Sequence, residues 1–592
     1  MTDAYQVFLA ALPDVCPADR RRMVFTADAA GRCEVFTWDA ESRRVRQVTS
    51  SRVGTVHRAI DADGYVWWFD EDASGAGRWW FQRFEGGPRL PGLPGAPAGL
   101  PRGLAVTADG TVAAAVAGRR CTVVAMGRRG QVPREVLRTT RPCRLAGVSP
   151  DGELIALAAS ADDAVAVSVV TRDGRTVADL TGPGLWCQGF ASTGGRGELL
   201  LVRDVGDGYA LATWTARQGL RTHHWCTFDT EVSAGWYPDG REVLVRQDRH
   251  GRSLLHRVNL GTRHRGLVPT PAGTLLDAAP RAVGAVDYLW TATTHRPVLR
   301  ATDGIALPPA GPAVVVPGRH TDCWTPTASG PVHTLLGLPE PAGSAPPPAV
   351  FLVHGGPADH DRDAYDGTVH SLVASGYAVV RVNYRGSTGY GPRWRRAFPA
   401  GVGHTQVEDL DAVRADLVSR GLIAGDAVAL WGVSWGAYLV LLALGSRPGR
   451  WQAGVAVKPV ADWAAAHRAT TPALRALDVR MFGGTPDEVP ERYAGSSPLT
   501  YASSVTAPLL VVGADRDTKC PPGQIRTYLQ ALTAAGVPHE AMWLDTGHDG
   551  YDGAAHVAVL RRSLSFLRAR LPRPAPRAPG RPPAPAGGPR SR

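Results

Sequence analysis

Three stretches of this sequence carry residues whose types and order suit nucleophilic catalysis. Gly432-Val433-Ser434-Trp435-Gly436 is a G-x-S-x-G motif. Ala427-Val428-Ala429-Leu430 before it reads as a buried strand, and Ala437 to Gly445 after it reads as an apolar helix. A serine on so sharp a strand-to-helix turn is held in strained backbone geometry with its hydroxyl exposed. The flanking glycines are needed because a Cβ at either place would clash. The motif alone is weak in a chain with 68 glycines; the strand–turn–helix context gives it weight.

A serine hydroxyl attacks poorly until a base takes its proton, and that base is usually a histidine oriented by a buried carboxylate. Both partners follow in the chain. The apolar strand Leu509-Leu510-Val511-Val512-Gly513 runs into a polar loop, Ala514-Asp515-Arg516-Asp517-Thr518-Lys519-Cys520-Pro521. Asp517 is the preferred carboxylate there and Asp515 is the alternative; the other is then a solvated loop residue or turn cap. Ala541-Met542-Trp543-Leu544 reads as a last strand, and the glycine-flanked loop after it offers His548 as the base.

The tetrahedral intermediate of acyl transfer needs preorganised N–H donors, and losing one costs roughly 2.7–4 kcal/mol. One donor is expected from Trp435, the residue after the nucleophile. The other is expected from Gly355 or Gly356. There the strand Ala349-Val350-Phe351-Leu352-Val353 runs into His354-Gly355-Gly356-Pro357, and glycines allow close backbone approach. The order of these pieces predicts a doubly wound, mostly parallel α/β-hydrolase sheet.

Together the motifs resemble the prolyl oligopeptidase family (S9) of serine peptidases, and are nearest to its acylaminoacyl-peptidase and dipeptidyl-peptidase-like members. His354-Gly355-Gly356-Pro357 resembles the oxyanion loop of the acylaminoacyl type. Val382-Asn383-Tyr384-Arg385-Gly386-Ser387-Thr388-Gly389-Tyr390-Gly391 resembles the family's Asn-Tyr-Arg-Gly-Ser stretch. Asp517-Thr518-Lys519-Cys520-Pro521 and Thr546-Gly547-His548 are similar to its aspartate and histidine loops. Ala437 stands where a second glycine is usual and Lys519 where arginine is common; neither change removes a catalytic atom. The resemblance covers about residues 320–570. It implies a seven-bladed β-propeller joined to the hydrolase domain, covering its cleft and limiting access to short or flexible peptides.

The N-terminal half carries its own signal. Asp-Gly turns followed by apolar strands occur at Asp63, Asp109, Asp151 and Asp239, spaced 46, 42 and 88 residues. A step of about 44 residues also lands at Asp19, Gly195 and Val283. Seven units of this length suit four-stranded propeller blades better than a β-sandwich pair. The expected organisation is a propeller over 1–315, a catalytic α/β-hydrolase domain over 316–570, and a tail over 571–592. From Leu571 onward that tail has eight prolines, five arginines and no acid, a composition that predicts disorder.

The net charge of +11 is spread along the chain apart from that tail, with no basic helix or RNA-binding signature, so nucleic acid is not an expected partner. No run of 18 apolar residues predicts a membrane span, and the first residues lack the pattern of a secretion signal. The eight cysteines lack metal-ligand spacing and suit reduced thiols in a cytoplasmic protein; neither metal nor cofactor is called for. Cys520, close to Asp517, reads as a small packing residue.

Only two of the 65 basic residues are lysines, and both lie in the hydrolase half. Lys458 follows the strand Gly454-Val455-Ala456-Val457, whose end should approach Ser434. It is expected at the site, holding a substrate or structural carboxylate, against the plainer reading of a loop lysine. Trp463, after Asp462, is a candidate wall for the side chain preceding the cleaved bond and equally a core residue. His354 is the third expected substrate-binding residue. The leading expectation is a serine peptidase acting on short peptides through an acyl-enzyme, able to form a homo-oligomer. An esterase, or an acyl hydrolase or leader peptidase dedicated to one pathway, competes on the same triad. The intact triad argues against a propeller-based interaction protein with a relic site.

Overall fold

The computed structural model describes residues 11–571, save 30–31, 119, 183, 193–196, 310–313, 342–343 and 549–552. Seven antiparallel sheets of consecutive strands fill the first half. Their first strands begin at Asp14, Arg58, Leu100, Arg144, Leu185, Val232 and Thr274. Six have four strands, and the seventh has three described strands, Thr274–Pro280, Val286–Ala292 and His295–Ala301. This is a seven-bladed β-propeller.

The sequence period reflects one recurring turn, between the first and second strands of each blade. Gly64, Gly110, Gly152 and Gly240 occupy it with φ between +67° and +82°, where a side chain would be strained. Asp19 lies at the equivalent bend before Arg22–Ala29, and Val283 at the bend before Val286–Ala292. Gly195 lies outside the described residues. Buried Val, Leu and aromatic side chains pack between adjacent blades, as Trp67, Phe69 and Phe81 do against Val112, Ala114 and Val116.

Among the described strands none is shared between the first and last blades, so side chains close the ring. Arg20 reaches both carboxylate oxygens of Asp287, at 2.7 and 3.0 Å, and Asp303 at 2.9 Å. Arg281 adds a bond to Asp287 at 2.7 Å. Leu12, Met23, Phe25, Trp38 and Leu289 form the apolar seam beside them.

The chain passes from Ala301 to an eight-stranded sheet that begins at Arg319. Its order is Arg319–Thr325, Val332–Leu338, Ala378–Asn383, Ala349–Val353, Val428–Val433, Ala453–Val457, Leu509–Ala514 and His539–Leu544. The first two strands pair antiparallel and the rest run parallel. The proline-rich stretch from Pro339 to Pro348 links the second of these to Ala349–Val353. Separate apolar clusters cover the two faces. Helix Trp435–Ser446 is apolar all round and buried from Trp435 to Gly445, as a helix enclosed in the core must be. The expected tail beyond Leu571 lies outside the described residues. No described helix is long and apolar enough to cross a membrane.

The propeller meets loops at the carboxyl ends of the parallel strands. Gly389 N donates to Glu231 at 2.5 Å, and Asp363 N to Gly251 O at 2.7 Å. Arg393, Arg396 and Arg480 pair with Asp207, Asp204 and Asp163 of the propeller.

Removing a buried carboxylate that serves two arginines should cost far more than breaking an exposed pair. Asp287, with 1% of its side chain exposed, has such a position. Asp287→Ala is expected to destabilise the protein by about 3–5 kcal/mol. Asp173→Ala, which breaks the exposed pair with Arg134, should cost under about 1 kcal/mol. Thermal or urea unfolding followed by tryptophan fluorescence checks both.

Candidate active site

Open parallel sheets place ligands beyond the carboxyl ends of their strands, where the strand order reverses. All the residues singled out for chemistry lie there. Ser434 sits between the strand ending at Val433 and the helix starting at Trp435, with φ 57° and ψ −118°. A Cβ on Gly432 would lie 2.3 Å from the carbonyl carbon of Gly436. One on Gly436 would lie 2.0 Å from Val353 O and 2.7 Å from His354 O. The second glycine thus lets the Ser434 turn press against the end of the strand Ala349–Val353. Ser434 N donates to Val457 O at 2.9 Å, anchoring the turn to the strand on its other side.

His548 Nε2 stands 3.0 Å from Ser434 Oγ, and His548 Nδ1 stands 2.7 Å from Asp517 Oδ2. The other oxygen of Asp517 accepts from Lys519 N and Cys520 N, each at 2.8 Å. The turn Asp-Thr-Lys-Cys-Pro folds around its own first residue, which leaves one carboxylate oxygen for the histidine. Asp515 faces outward to Arg526 at 2.7 Å. Of the two aspartates, Asp517, which the loop motif favours, faces the histidine, and Asp515 does not.

Gly355 lies beside the nucleophile turn; a Cβ there would be 3.6 Å from Val433 O. Trp435 N belongs to the first turn of the helix, where amide groups lack intrahelical acceptors and the helix dipole favours negative charge. The loop His354-Gly355-Gly356 is held from behind. Tyr384 stacks on His354 at 4.1 Å and its hydroxyl donates to His354 O at 2.7 Å. His354 Nε2 meets Ser387 Oγ at 2.9 Å, and Nδ1 lies 2.7 Å from Gly355 O. Burial pushes the His354 ring down to about 4, so it is neutral at physiological pH. The sequence expects this histidine at the substrate; its partners in the structure are Gly355 O in its own loop and Tyr384 and Ser387 behind it. Tyr384 and Ser387 were legible only as part of a motif, because nothing local reveals a partner some thirty residues away.

Lys458 lies at the carboxyl end of its strand beside the histidine loop, where it bonds backbone. Its ammonium donates to Gly547 O at 2.8 Å and His548 O at 2.9 Å, fixing the histidine loop. Trp463 opens the helix Trp463–Ala469, which Asp462 caps through Ala464 N and Ala465 N. Its ring is 5% exposed, packed against Trp435, Tyr438 and Phe482 in the core beneath the nucleophile helix. The core reading of this residue is the one the packing favours. Cys520, read as a packing residue, is buried with ligand atoms of Asp517 and His548 close by.

Residues 364–572 match the family model described as "Prolyl oligopeptidase family". Similar proteins include dipeptidyl aminopeptidase BIII of Pseudoxanthomonas mexicana, 31% identical over 210 residues covering 34% of this chain and 30% of that one. The human acylamino-acid-releasing enzyme is 30% identical over 209 residues, covering 34% and 29%. The matches thus span about a third of these relatives' length. Over nearly the whole chain, a Mycobacterium tuberculosis puromycin-hydrolyzing peptidase superposes with TM-score 0.80 at 20% identity, covering 96% of each chain. A Pyrococcus horikoshii acylaminoacyl peptidase gives 0.76 at 15% identity, covering 96% and 97%. At such identity these structures bear on the fold, which they share from propeller to hydrolase. With its motifs in order on that fold, the hydrolase half of this chain is similar to the prolyl oligopeptidase family over residues 364–572.

Proposed function

We propose that this protein is a serine peptidase that cleaves short peptides through an acyl-enzyme on Ser434. The observation that carries the reading is the unbroken chain of contacts from Ser434 Oγ through His548 to Asp517. His548 Nε2 takes the serine proton as Oγ attacks the peptide carbonyl. Asp517 holds the proton on Nδ1 and stabilises the imidazolium that forms. The negative charge on the former carbonyl oxygen falls to the N–H of Trp435 and to an N–H from Gly355 or Gly356. The imidazolium then protonates the leaving amine, and a water activated by the same ring releases the acyl group.

Access supports the peptide reading. The propeller contacts the loops at Asp363, Gly389 and Arg393, around the strand ends that carry the triad. Contacts around the strand ends would favour a chain end or short peptide over a folded protein. Shielding from water also strengthens every charge interaction inside. All eight cysteines are unpaired, which suits a reducing, cytoplasmic setting.

A peptide-library digest read by mass spectrometry tests the reading, with Ser434→Ala run in parallel. Serine-dependent cuts are expected; their absence, with ester turnover retained by the wild type, would make the protein an esterase. Asp517→Asn should lower kcat by about 10⁴-fold through the wrong histidine tautomer, whereas Asp515→Asn should leave kcat near wild type. Lys458→Met should lower kcat more than it raises KM, by about 10–100-fold, because the histidine loop loses its anchor and a displaced base is costly. Lys458→Arg should recover part of that loss, and steady-state kinetics on one good peptide reads all four variants.

A further inference from the structure

Cys520 has no part in the mechanism above, yet its thiol lies inside the triad. Its Sγ, a ring nitrogen of His548 and a carboxylate oxygen of Asp517 all lie within 4.8 Å of one another. Among the described residues no other such group of three occurs. The three are held in place by bonds that do not involve the thiol. Cys520 N donates to Asp517, and Lys458 clamps the histidine loop. Cys520 is 4% exposed and Asp517 3%. Burial, and then the Asp517 carboxylate, push the thiol well above its ordinary range; Ser434, Lys519 and Lys458 pull the other way. The resting group is therefore a thiol, in reach of Ser434 and of whatever enters beside that hydroxyl.

We propose that Asp517, Cys520 and His548 form an inhibitory site for a borderline-soft divalent cation of the Zn²⁺ class. The donor set is what selects it. Sulfur, imidazole nitrogen and carboxylate oxygen are the ligand types zinc takes, commonly three from the protein with a fourth position open. Calcium and magnesium prefer oxygen alone. The fourth position is left to a water. Bond lengths of about 2.0–2.3 Å put ligand atoms of a tetrahedral site roughly 3.3–3.8 Å apart. The Asp517–His548 pair must open slightly from 2.7 Å, and the thiol must close in.

On binding, the S–H bond breaks, a metal–sulfur bond forms and the proton leaves to water. As Nδ1 takes the metal, the single proton of the neutral imidazole moves from Nδ1 to Nε2, the nitrogen turned away from the metal, and nothing is oxidised or reduced. A coordinated thiol ionises outright. A ring tied to the metal can no longer shuttle the serine proton, so occupancy and catalysis exclude each other. Asp517-x-x-Cys520 has no second ligand pair nearby in sequence; only the sheet brings His548 to it.

The site is testable without substrate, so its failure and that of the peptidase reading are distinguishable. Chelator-treated full-length protein is titrated with Co²⁺, watching the thiolate-to-cobalt charge-transfer band, and Zn²⁺ is then added in competition. One equivalent of Co²⁺ should raise the band and Zn²⁺ should abolish it. Cys520→Val should show no band, and its Zn²⁺ affinity should fall by more than the ~10–100-fold that loss of a supporting partner costs. Folded His548→Gln, which keeps the thiol, should bind at least that much more weakly too. In activity assays Zn²⁺ should silence the wild type reversibly, and whatever rate Cys520→Val retains should be indifferent to it. No thiolate band in the wild type, or a band of full strength in either variant, overturns the proposal.

Discussion

The site depends on one close contact, that between the backbone at Gly436 and the carbonyl end of the strand Ala349–Val353. With no Cβ at 436, the Ser434 turn and the loop after Val353 lie against each other at the ends of adjacent strands, as the proposed mechanism requires. The cost is a non-glycine residue, Ser434, at positive φ, a conformation worth about 1–3 kcal/mol of strain. It persists because parallel strands hold both flanks. Val353 pairs with Gly432 on one side, and Val457 pairs with Val433 and accepts from Ser434 N on the other. The apolar helix behind the turn, buried throughout, cannot rotate to relieve it.

Around this turn, much of the polar structure holds loops and does no chemistry. Lys458 fixes the histidine loop, and Tyr384 with Ser387 fixes the oxyanion loop. Gln524 ties the loop after Lys458 to the one after Cys520, accepting from Ala461 N and donating to Pro459 O and Pro521 O. The segment that supports the oxyanion loop continues to Gly389, which the propeller grips through Glu231 and His250. Propeller position and oxyanion-loop support are therefore parts of one connected piece of backbone.

What could be read from the chain alone follows from how local each signal is. The propeller was legible because Asp-Gly turns with positive φ recur at one place in four of the blades, and counting found the units at Asp19 and Val283 that lack the motif. Ser434 and His548 were legible because each sits in a glycine-marked loop after an apolar strand. Asp517 was preferred to Asp515 only on the pattern of its loop. The difference lies in which carboxylate its own turn enfolds, and that is a matter of three-dimensional hydrogen bonding. The scarcity of lysine pointed to Lys458 but not to its partners, since backbone carbonyls leave no mark in sequence. Trp463 was ambiguous because an aromatic after a loop can face a cleft or a core; the capped helix it begins turns it into the core. Cys520 gained meaning only once the sheet set His548 beside it.

The most direct measurement of the central claim is covalent. Reaction of the wild-type protein with a fluorophosphonate, followed by peptide mapping, asks which oxygen is activated in the folded molecule. The expected result is one stoichiometric adduct on Ser434 that forms far more slowly in His548→Gln. Labelling at another residue, or at Ser434 with a rate indifferent to His548, would contradict the assignment of this turn as an activated nucleophile.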